Sequence, residues 1–286
     1  MVEEKACAKV NLALDVKGRR ENGYHEVSMI MQSIDLYDTL SFEKEGEGIS
    51  LSCDNAELNK EAESGKDNLI VRASKAFFEY TGIKEGVKIT LTKRIPIAAG
   101  MAGGSTDAAA TLRGLNTLFS AGLKREELEK IGVKLGADIP FCITGGTKLS
   151  EGIGEILTDL PSPKRTALVI CKPDINVSTK DVYEAFDGLT NPDHPKVSEM
   201  KEALINGEYE RIPKLMGNSL EGVTGKLHPI IGEIEKIMVE NGAIKAMMSG
   251  SGPTVFAIVP ENKQALIVEK LKSLYPLFYV KGHFYG

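Results

Sequence analysis

"PIAAGMAGGSTDAAA", residues 96–110, sets three glycines and two hydroxyls directly before a run of alanines. Alanine is the best helix former and glycine one of the worst, so the junction predicts a loop that delivers the start of a helix. Just upstream, "GVKITLTK" places Val87, Ile89 and Leu91 on one side of a short strand. Strand, glycine loop and helix in that order make a cradle for an anion. The first N–H groups of a helix lack intrahelical partners, and the helix dipole adds partial positive charge there. Glycines let the backbone close around a bound group. Gly100, Gly103 and Gly104 form such a cradle, with the Ser105 and Thr106 hydroxyls as further donors or as groups reaching a metal ion. Phosphate is the natural occupant. The G-x-x-x-x-G-K-[ST] loop is excluded, since Gly104 holds the lysine's place, and G-x-G-x-x-G is broken by Met101 and Ala102. The competing explanation is a glycine turn capped by Ser105 or Thr106. It accounts for one hydroxyl and one glycine, not for all five residues.

Working outward, "KACAKVNLALDV" near the N-terminus alternates. Ala6, Ala8, Val10, Leu12, Leu14 and Val16 share one face of a half-buried strand, and Lys9, Asn11 and Asp15 the other. "ENGY" (residues 21–24) predicts a tight turn into a second strand, "HEVSMIMQSIDL", and "LSFEKEGEGISLSC" predicts a hairpin around Gly46 and Gly48. "DNLIVRASKAFFEYTG" carries helical spacing, with Asp67 as N-cap and Gly82 as stop. "DAAATLRGLNTLF" and "KREELEKIGVKLG" follow as helices, the latter ending at Gly136. Pro161 and Pro163 mark a boundary, dividing the chain into residues 1–160 and 161–286. Beyond it come a strand, helices over 179–187, 195–205, 208–216 and 228–241, two strands in "AIKAMMSGSGPTVFAIV", a helix and a last strand. Both halves mix α and β, so the class is α+β.

The 286 residues, 42% hydrophobic and 26% charged, suit a globular chain of about two domains at the usual ~150 residues each. A net charge of −5 gives no general attraction to nucleic acid or membrane, so positive charge for an anion must be local. Four scattered cysteines and four scattered histidines have no zinc-ligand spacing, and a reduced, cytoplasmic setting follows. The first residues lack a signal peptide's order, and no apolar run approaches the ~20 residues of a membrane span.

Three segments, "KVNLALDV", "PIAAGMAGGSTDAAA" and "SGSGPT" (249–254), resemble the GHMP kinase superfamily in order and spacing. "AKVNLAL", "GRRENGYHEV", "DNLIVRA", "KRIPIAAGMAGGSTDAAA" and "GADIPF" narrow the likeness to members acting on a CDP-linked methylerythritol, and it spans essentially the whole length. The resemblance implies a two-domain fold, N-terminal like domain 2 of ribosomal protein S5 and C-terminal ferredoxin-like. It implies ATP and Mg²⁺ as cofactors, and phosphorylation of the 2-hydroxyl of that small-molecule acceptor in non-mevalonate isoprenoid synthesis.

Site roles follow residue by residue from the same resemblance. Lys9 and Asp138 stand at the catalytic positions, and the pairing is chemically apt: an ammonium keeps Asp138 ionised, and the carboxylate accepts the proton of the attacking hydroxyl. Asn68, Leu69, Lys93 and the loop of Pro96, Ile97, Ala98, Ala99, Gly100, Met101, Ala102, Gly103, Gly104, Ser105 and Thr106 would contact ATP. Asn11, Tyr24, His25, Thr179 and Tyr183 would contact the acceptor, with Tyr24 and Tyr183 stacking on cytosine while His25 reads its pairing edge. Ordinary explanations stand beside each: a solvated strand face for Lys9 and Asn11, a loop cap for Asp138, a helix cap for Asn68, a solvated strand end for Lys93, packing for Tyr24 and His25. Two rival functions remain: another GHMP kinase, acting on homoserine, mevalonate or a sugar, and a non-catalytic RNA-binding module on the S5-like fold. Oligomeric state is not legible, and "SGSGPT" is either a glycine-rich hairpin or a wall beside the phosphate loop.

Overall fold

A computed structural model describes residues 1–54, 68–274 and 278–285. The chain forms two compact units. Met1–Ala8, Leu36–Ile97 and Ala102–Gly145 make the first; Lys9–Asp35, Ala98–Met101 and Gly146–Gly286 make the second. Compactness thus follows a different division from chain order, because the long strands β1 (Val2–Arg19) and β2 (His25–Glu45) each supply residues to both.

In the first unit, β3 (Ile49–Cys53) runs parallel to β4 (Gly86–Thr92), and β4 runs antiparallel to β2 from Thr39 opposite Thr92 to Glu45 opposite Gly86. The expected hairpin of β2 with β3 does not form, because β4 occupies the place beside β2. Helix α1 (Leu69–Thr81) supplies the crossover that parallel neighbours need. Its N-cap is Asn68, whose Oδ1 accepts the Ile70 N–H, and it stops at left-handed Gly82 as its sequence foretold. Asp67, the expected cap, lies outside the described residues. Helix α2 (Gly103–Leu118) packs with α1, α3 (Arg125–Gly132) and α4 (Ile139–Thr144). It starts five residues before the alanine run, so the paired glycines are in its first turn. Ala108, Ala109, Ala110, Leu112 and Leu115 are fully buried. Gly114 admits the Phe42 ring so closely that a Cβ there would lie 2.3 Å from Phe42 Cε2.

In the second unit, the first half of β2 pairs antiparallel with β5 (Thr147–Gly152), and β5 with β6 (Ile156–Leu160), a hairpin not foreseen in the sequence. β1 pairs parallel with the short β8 (Gly217–Asn218) at Ala13 and Leu14. β7 (Ala167–Lys172), β9 (Lys245–Met248), β10 (Val255–Ile258) and β11 (Phe278–His283) form an antiparallel sheet in the order β11-β7-β10-β9. Counted along the chain that order is 4-1-3-2, the ferredoxin-like arrangement. Helix α9 (Ile230–Glu240) packs on β9 and β10, and α10 (Gln264–Leu274) on β7 and β11. Between β7 and α9 lie α5 (Thr179–Asp187), α6 (Val197–Ile205), α7 (Ile212–Leu215) and α8 (Glu221–Leu227). The expected helix over 208–216 is reduced to α7 after a 3₁₀ turn, and α8 was not foreseen.

The fold is α+β throughout. The expected solvated face of β1 is a correction: Lys9, Asn11 and Asp15 are all buried, so both sides of that strand are covered. Among the described residues, no helix is long and apolar enough to cross a membrane.

Candidate active site

Helix α2 begins with Ala102 as N-cap, in the left-handed conformation and without a side-chain cap bond. The Thr106 N–H bonds the Ala102 carbonyl, so the N–H groups of Gly103, Gly104 and Ser105 are the orphan donors of a 16-residue helix. The glycines serve differently from the simple expectation. Positive φ falls at Ala98 (51°), Gly100 (69°) and Ala102 (57°), not at Gly103 or Gly104. A left-handed alanine is strained by roughly 1–2 kcal/mol, and strain of this kind concentrates at ligand sites. Gly103 and Gly104 are needed for closeness instead. A Cβ on Gly103 would lie 3.1 Å from Ile95 Cγ2 and 3.3 Å from Lys93 Nζ, and one on Gly104 3.3 Å from Leu69 Cδ1. Leu69, Lys93, Gly103 and Gly104 therefore meet at the start of α2.

Neither hydroxyl caps the helix. Thr106 Oγ1 donates to the Cys7 carbonyl at 2.8 Å and is buried, so its expected use as a ligand donor is corrected: that hydroxyl ties α2 to β1. Ser105 is half-buried. Of the preceding loop, Ala99 and Met101 bury their side chains and Ile97 is exposed, so Ala99 and Met101 can face a ligand only through backbone.

Lys93 is no solvated strand end. Its ammonium donates to Asp38 Oδ2 at 2.5 Å and Asp107 Oδ2 at 2.6 Å, with its side chain 7% exposed. Burial works to lower its pKa, but the two carboxylates outweigh that and hold it above the ordinary lysine value. Asp38 Oδ1 also accepts the N–H groups of Arg94 and Ile95. Lys93 thus braces the strand end against the first turn of α2.

In the second unit, Lys9 Nζ donates to Asn11 Oδ1 at 2.7 Å, and Asn11 Nδ2 reaches Met29 Sδ at 3.1 Å. The Lys9 N–H bonds the Met101 carbonyl. The segment 249–252 closes on them. A Cβ on Gly250 would meet the Gly100 carbonyl at 3.2 Å and Lys9 Nζ and Asn11 Oδ1 at 3.6 Å; one on Gly100 would lie 2.6 Å from the Ser249 carbonyl. Ser249 Oγ donates to the Gly100 carbonyl, and Asn218 Nδ2 donates to the carbonyls of Met248 and Gly250. "SGSG" is a wall against the glycine loop, not a free hairpin.

Thr179 Oγ1 lies 2.8 Å from Ser251 Oγ, which pins the start of α5 to the same wall. Four residues on, Tyr183 sets its ring 4.6 Å from that of His25, tilted by 36°. Tyr24 stands 61% exposed after a turn in which Arg20 and Tyr24 bond through backbone and Gly23 has φ 86°. Asp138 sits at the N-cap of α4, half-buried, and its side chain caps nothing. Lys9 belongs to the second unit and Asp138 to the first. Asp38, Asp107, Asp187 and Asn218, which act on other site residues, are not among those singled out by the sequence. One signal was available: Thr179, Tyr183 and Asp187 recur every fourth residue, on one helix face.

The GHMP kinases N terminal domain family matches residues 68–146, and the GHMP kinases C terminal family matches residues 200–277. A 4-diphosphocytidyl-2-C-methyl-D-erythritol kinase of Clostridium beijerinckii is 46% identical over 272 residues, covering 95% of this chain and 96% of its own. A crystal structure of a 4-(cytidine 5'-diphospho)-2C-methyl-D-erythritol kinase matches with TM-score 0.83 and 33% identity over 99% of each chain. A homoserine kinase from Cytophaga hutchinsonii matches with TM-score 0.79 at 17% identity, covering 99% of this chain and 94% of its own, a likeness of fold alone. With near-half identity along almost its whole length and both family domains in place, this chain belongs to the GHMP kinases and, within them, to the family of the 4-diphosphocytidyl-2-C-methyl-D-erythritol kinases.

Proposed function

We propose that the protein transfers the γ-phosphoryl group of ATP to the 2-hydroxyl of 4-diphosphocytidyl-2-C-methyl-D-erythritol, a step in making isoprenoid precursors. The observation that carries this reading is the 46% identity with the Clostridium beijerinckii kinase over 95% of the chain. The contact of His25 with Tyr183 supports a base-reading end, which homoserine, mevalonate or a sugar would leave unused.

The division of labour follows from the chemistry of each group. The uncapped α2 start holds phosphate through backbone N–H groups. Lys9, steadied by Asn11, holds charge developing on the transferred phosphoryl. Asp138, free of capping duty, orients the acceptor hydroxyl and takes its proton. Phosphoryl transfer asks for positioning and charge stabilisation more than covalent chemistry, and such groups supply both. Among the described residues no three metal-type side chains cluster. Mg²⁺ is commonly held by phosphates with only one or two protein ligands, so it fits as a partner of the nucleotide, with Ser105 and Asp138 as the oxygen-bearing side chains that would serve it. When bound it neutralises charge on the β- and γ-phosphates. The chain acts as a small-molecule kinase of the cytoplasm; the acidic composition weighs against an RNA-binding role.

Purified protein with ATP and Mg²⁺, offered CDP-methylerythritol, mevalonate and homoserine in parallel, should release ADP only with the first. Turnover of mevalonate or homoserine alone would reverse the assignment. Asp138→Asn should lower kcat by ~10²–10⁴-fold, the span of a positioned acid–base group, while ATP still binds. An unchanged kcat removes Asp138 from the chemistry.

A further inference from the structure

We propose that Asp187 is a positioning residue for base specificity, fixing His25 in the tautomer whose bare Nδ1 accepts the exocyclic amino group of cytosine. This rests on the base-reading role given above to Tyr24, His25 and Tyr183.

The geometry lies within one unit and on one helix face. Thr179, Tyr183 and Asp187 follow each other at intervals of four along α5. Thr179 anchors the helix start to Ser251, and Ser178 Oγ accepts the Asp181 N–H as its cap. At the far end, Asp187 Oδ1 lies 2.7 Å from His25 Nε2, and Arg19 Nη1 approaches Asp187 Oδ2 at 3.4 Å. The His25 side chain is 10% exposed, while that of Asp187 keeps 27% of its surface in solvent. Arg19 thus places a guanidinium beside the carboxylate oxygen that His25 does not use.

A carboxylate offers only acceptors, so the nitrogen it touches must carry the hydrogen. In a neutral imidazole the other nitrogen is then bare, and the bond at one side sets the chemistry at the other. Among the described residues, no side chain or backbone group is bonded to His25 Nδ1. Cytosine presents an amino donor at position 4 and uracil a carbonyl oxygen. A bare Nδ1 attracts the first and repels the second. Asp187 therefore makes His25 a filter without touching the base. Rejection is strong when a polar group built for one partner is left facing another of the wrong sense.

Asp187→Asn is the discriminating variant, because an amide of the same shape can donate or accept and so releases the tautomer. In the ligand-free full chain, ¹⁵N NMR of His25 should give the Nε2–H tautomer in the wild type and a mixture in the variant. With CDP- and UDP-linked acceptors, the variant's cytosine preference in kcat/KM should fall about tenfold or more, the scale of one lost hydrogen bond of this kind. The fall should come through the acceptor KM, with kcat and the KM for ATP within about twofold of wild type. Asp187→Ala should behave similarly, so a failure of either to fold leaves the other to decide. The proposal is overturned if the wild type carries the Nδ1–H tautomer, or if Asp187→Asn keeps the wild-type base preference. A wild type that uses CDP- and UDP-linked acceptors equally overturns the base-reading role itself, and this proposal with it.

Discussion

Asp107 lies in the first turns of α2 with its Oδ2 on Lys93, while its Oδ1 is buried and, among the described residues, has no hydrogen-bond partner. One lysine faces two carboxyl groups there. Burial and the nearby Asp38 charge outweigh the Lys93 ammonium and push Asp107 up to about 8. The folded state therefore keeps a proton that the unfolded chain releases near the ordinary carboxylate pKa of ~4. With more protons bound when folded, the contribution of Asp107 to stability is full at low pH and is lost as pH climbs from ~4 through about 8. Asp107→Asn should flatten that dependence, with a Tm-against-pH curve that converges or crosses the wild type by a few degrees between pH 5 and 8. Glu235, pushed up to about 8 by burial and by Glu221, titrates in the same window. The informative quantity is thus the difference between the two curves. Parallel curves would mean that Asp107 is ionised throughout, as an ordinary partner of Lys93.

At the scale of elements, Gly100 separates two reasons for a glycine. It has φ 69°, and a Cβ there would lie 2.6 Å from the Ser249 carbonyl and 2.8 Å from that of Gly252. Gly122 has the same φ of 69° but nothing within 4 Å. Gly122→Ala should cost only the backbone strain, about 1 kcal/mol, and leave the KM for ATP unchanged. Gly100→Ala must also push the 249–252 wall away, so it should cost about 1–3 kcal/mol more and raise the KM for ATP at least tenfold. Equal effects of the two on Tm and KM would mean the wall does not shape the loop. Neither contact was legible in the sequence, because each depends on residues about 150 positions apart meeting. What was legible is local. The course of α1 follows from its periodicity and its stop from its terminal glycine, and β4 from its alternation, whereas the cap of α1 is Asn68 and not the expected Asp67. Pairing of β3 with β4 is tertiary and left no signature. The early start of α2 defeats propensity, since packing against Leu69 and Lys93 puts two poor helix formers in its first turn. Helix α8, "EGVTGKL", is hidden for the same reason. Among site residues, those in short motifs stood out, whereas Asp38 and Asp187 belong to no motif, and Asp107, though inside the loop motif, acts only through Lys93.

For the whole molecule, the division after residue 160 and the two compact units make different demands on the chain. Residues 161–286 hold the whole four-stranded sheet with α9 and α10, so a fragment of that length has a core of its own. Yet the same unit also takes Lys9–Asp35 from β1 and β2. Leu14 pairs with Asn218, Val16 N–H bonds Ser219 Oγ, His283 N–H bonds Asp35 Oδ1, and Ile34 bridges Phe284. Cutting at 160 removes every one of these partners from the C-terminal piece. Buried groups such as Asn218 and Ser219 would then face water or remain unsatisfied, at about 1–3 kcal/mol for each group left unpaired. The fragment 161–286 should keep strand signal in far-ultraviolet circular dichroism but bind a hydrophobic dye and unfold with a broad, low transition. Mixing it with residues 1–160 should restore a sharp transition. A fragment that melts as sharply and as high alone as in the mixture would make the cut at 160 a true domain boundary and β1 and β2 dispensable to the second unit.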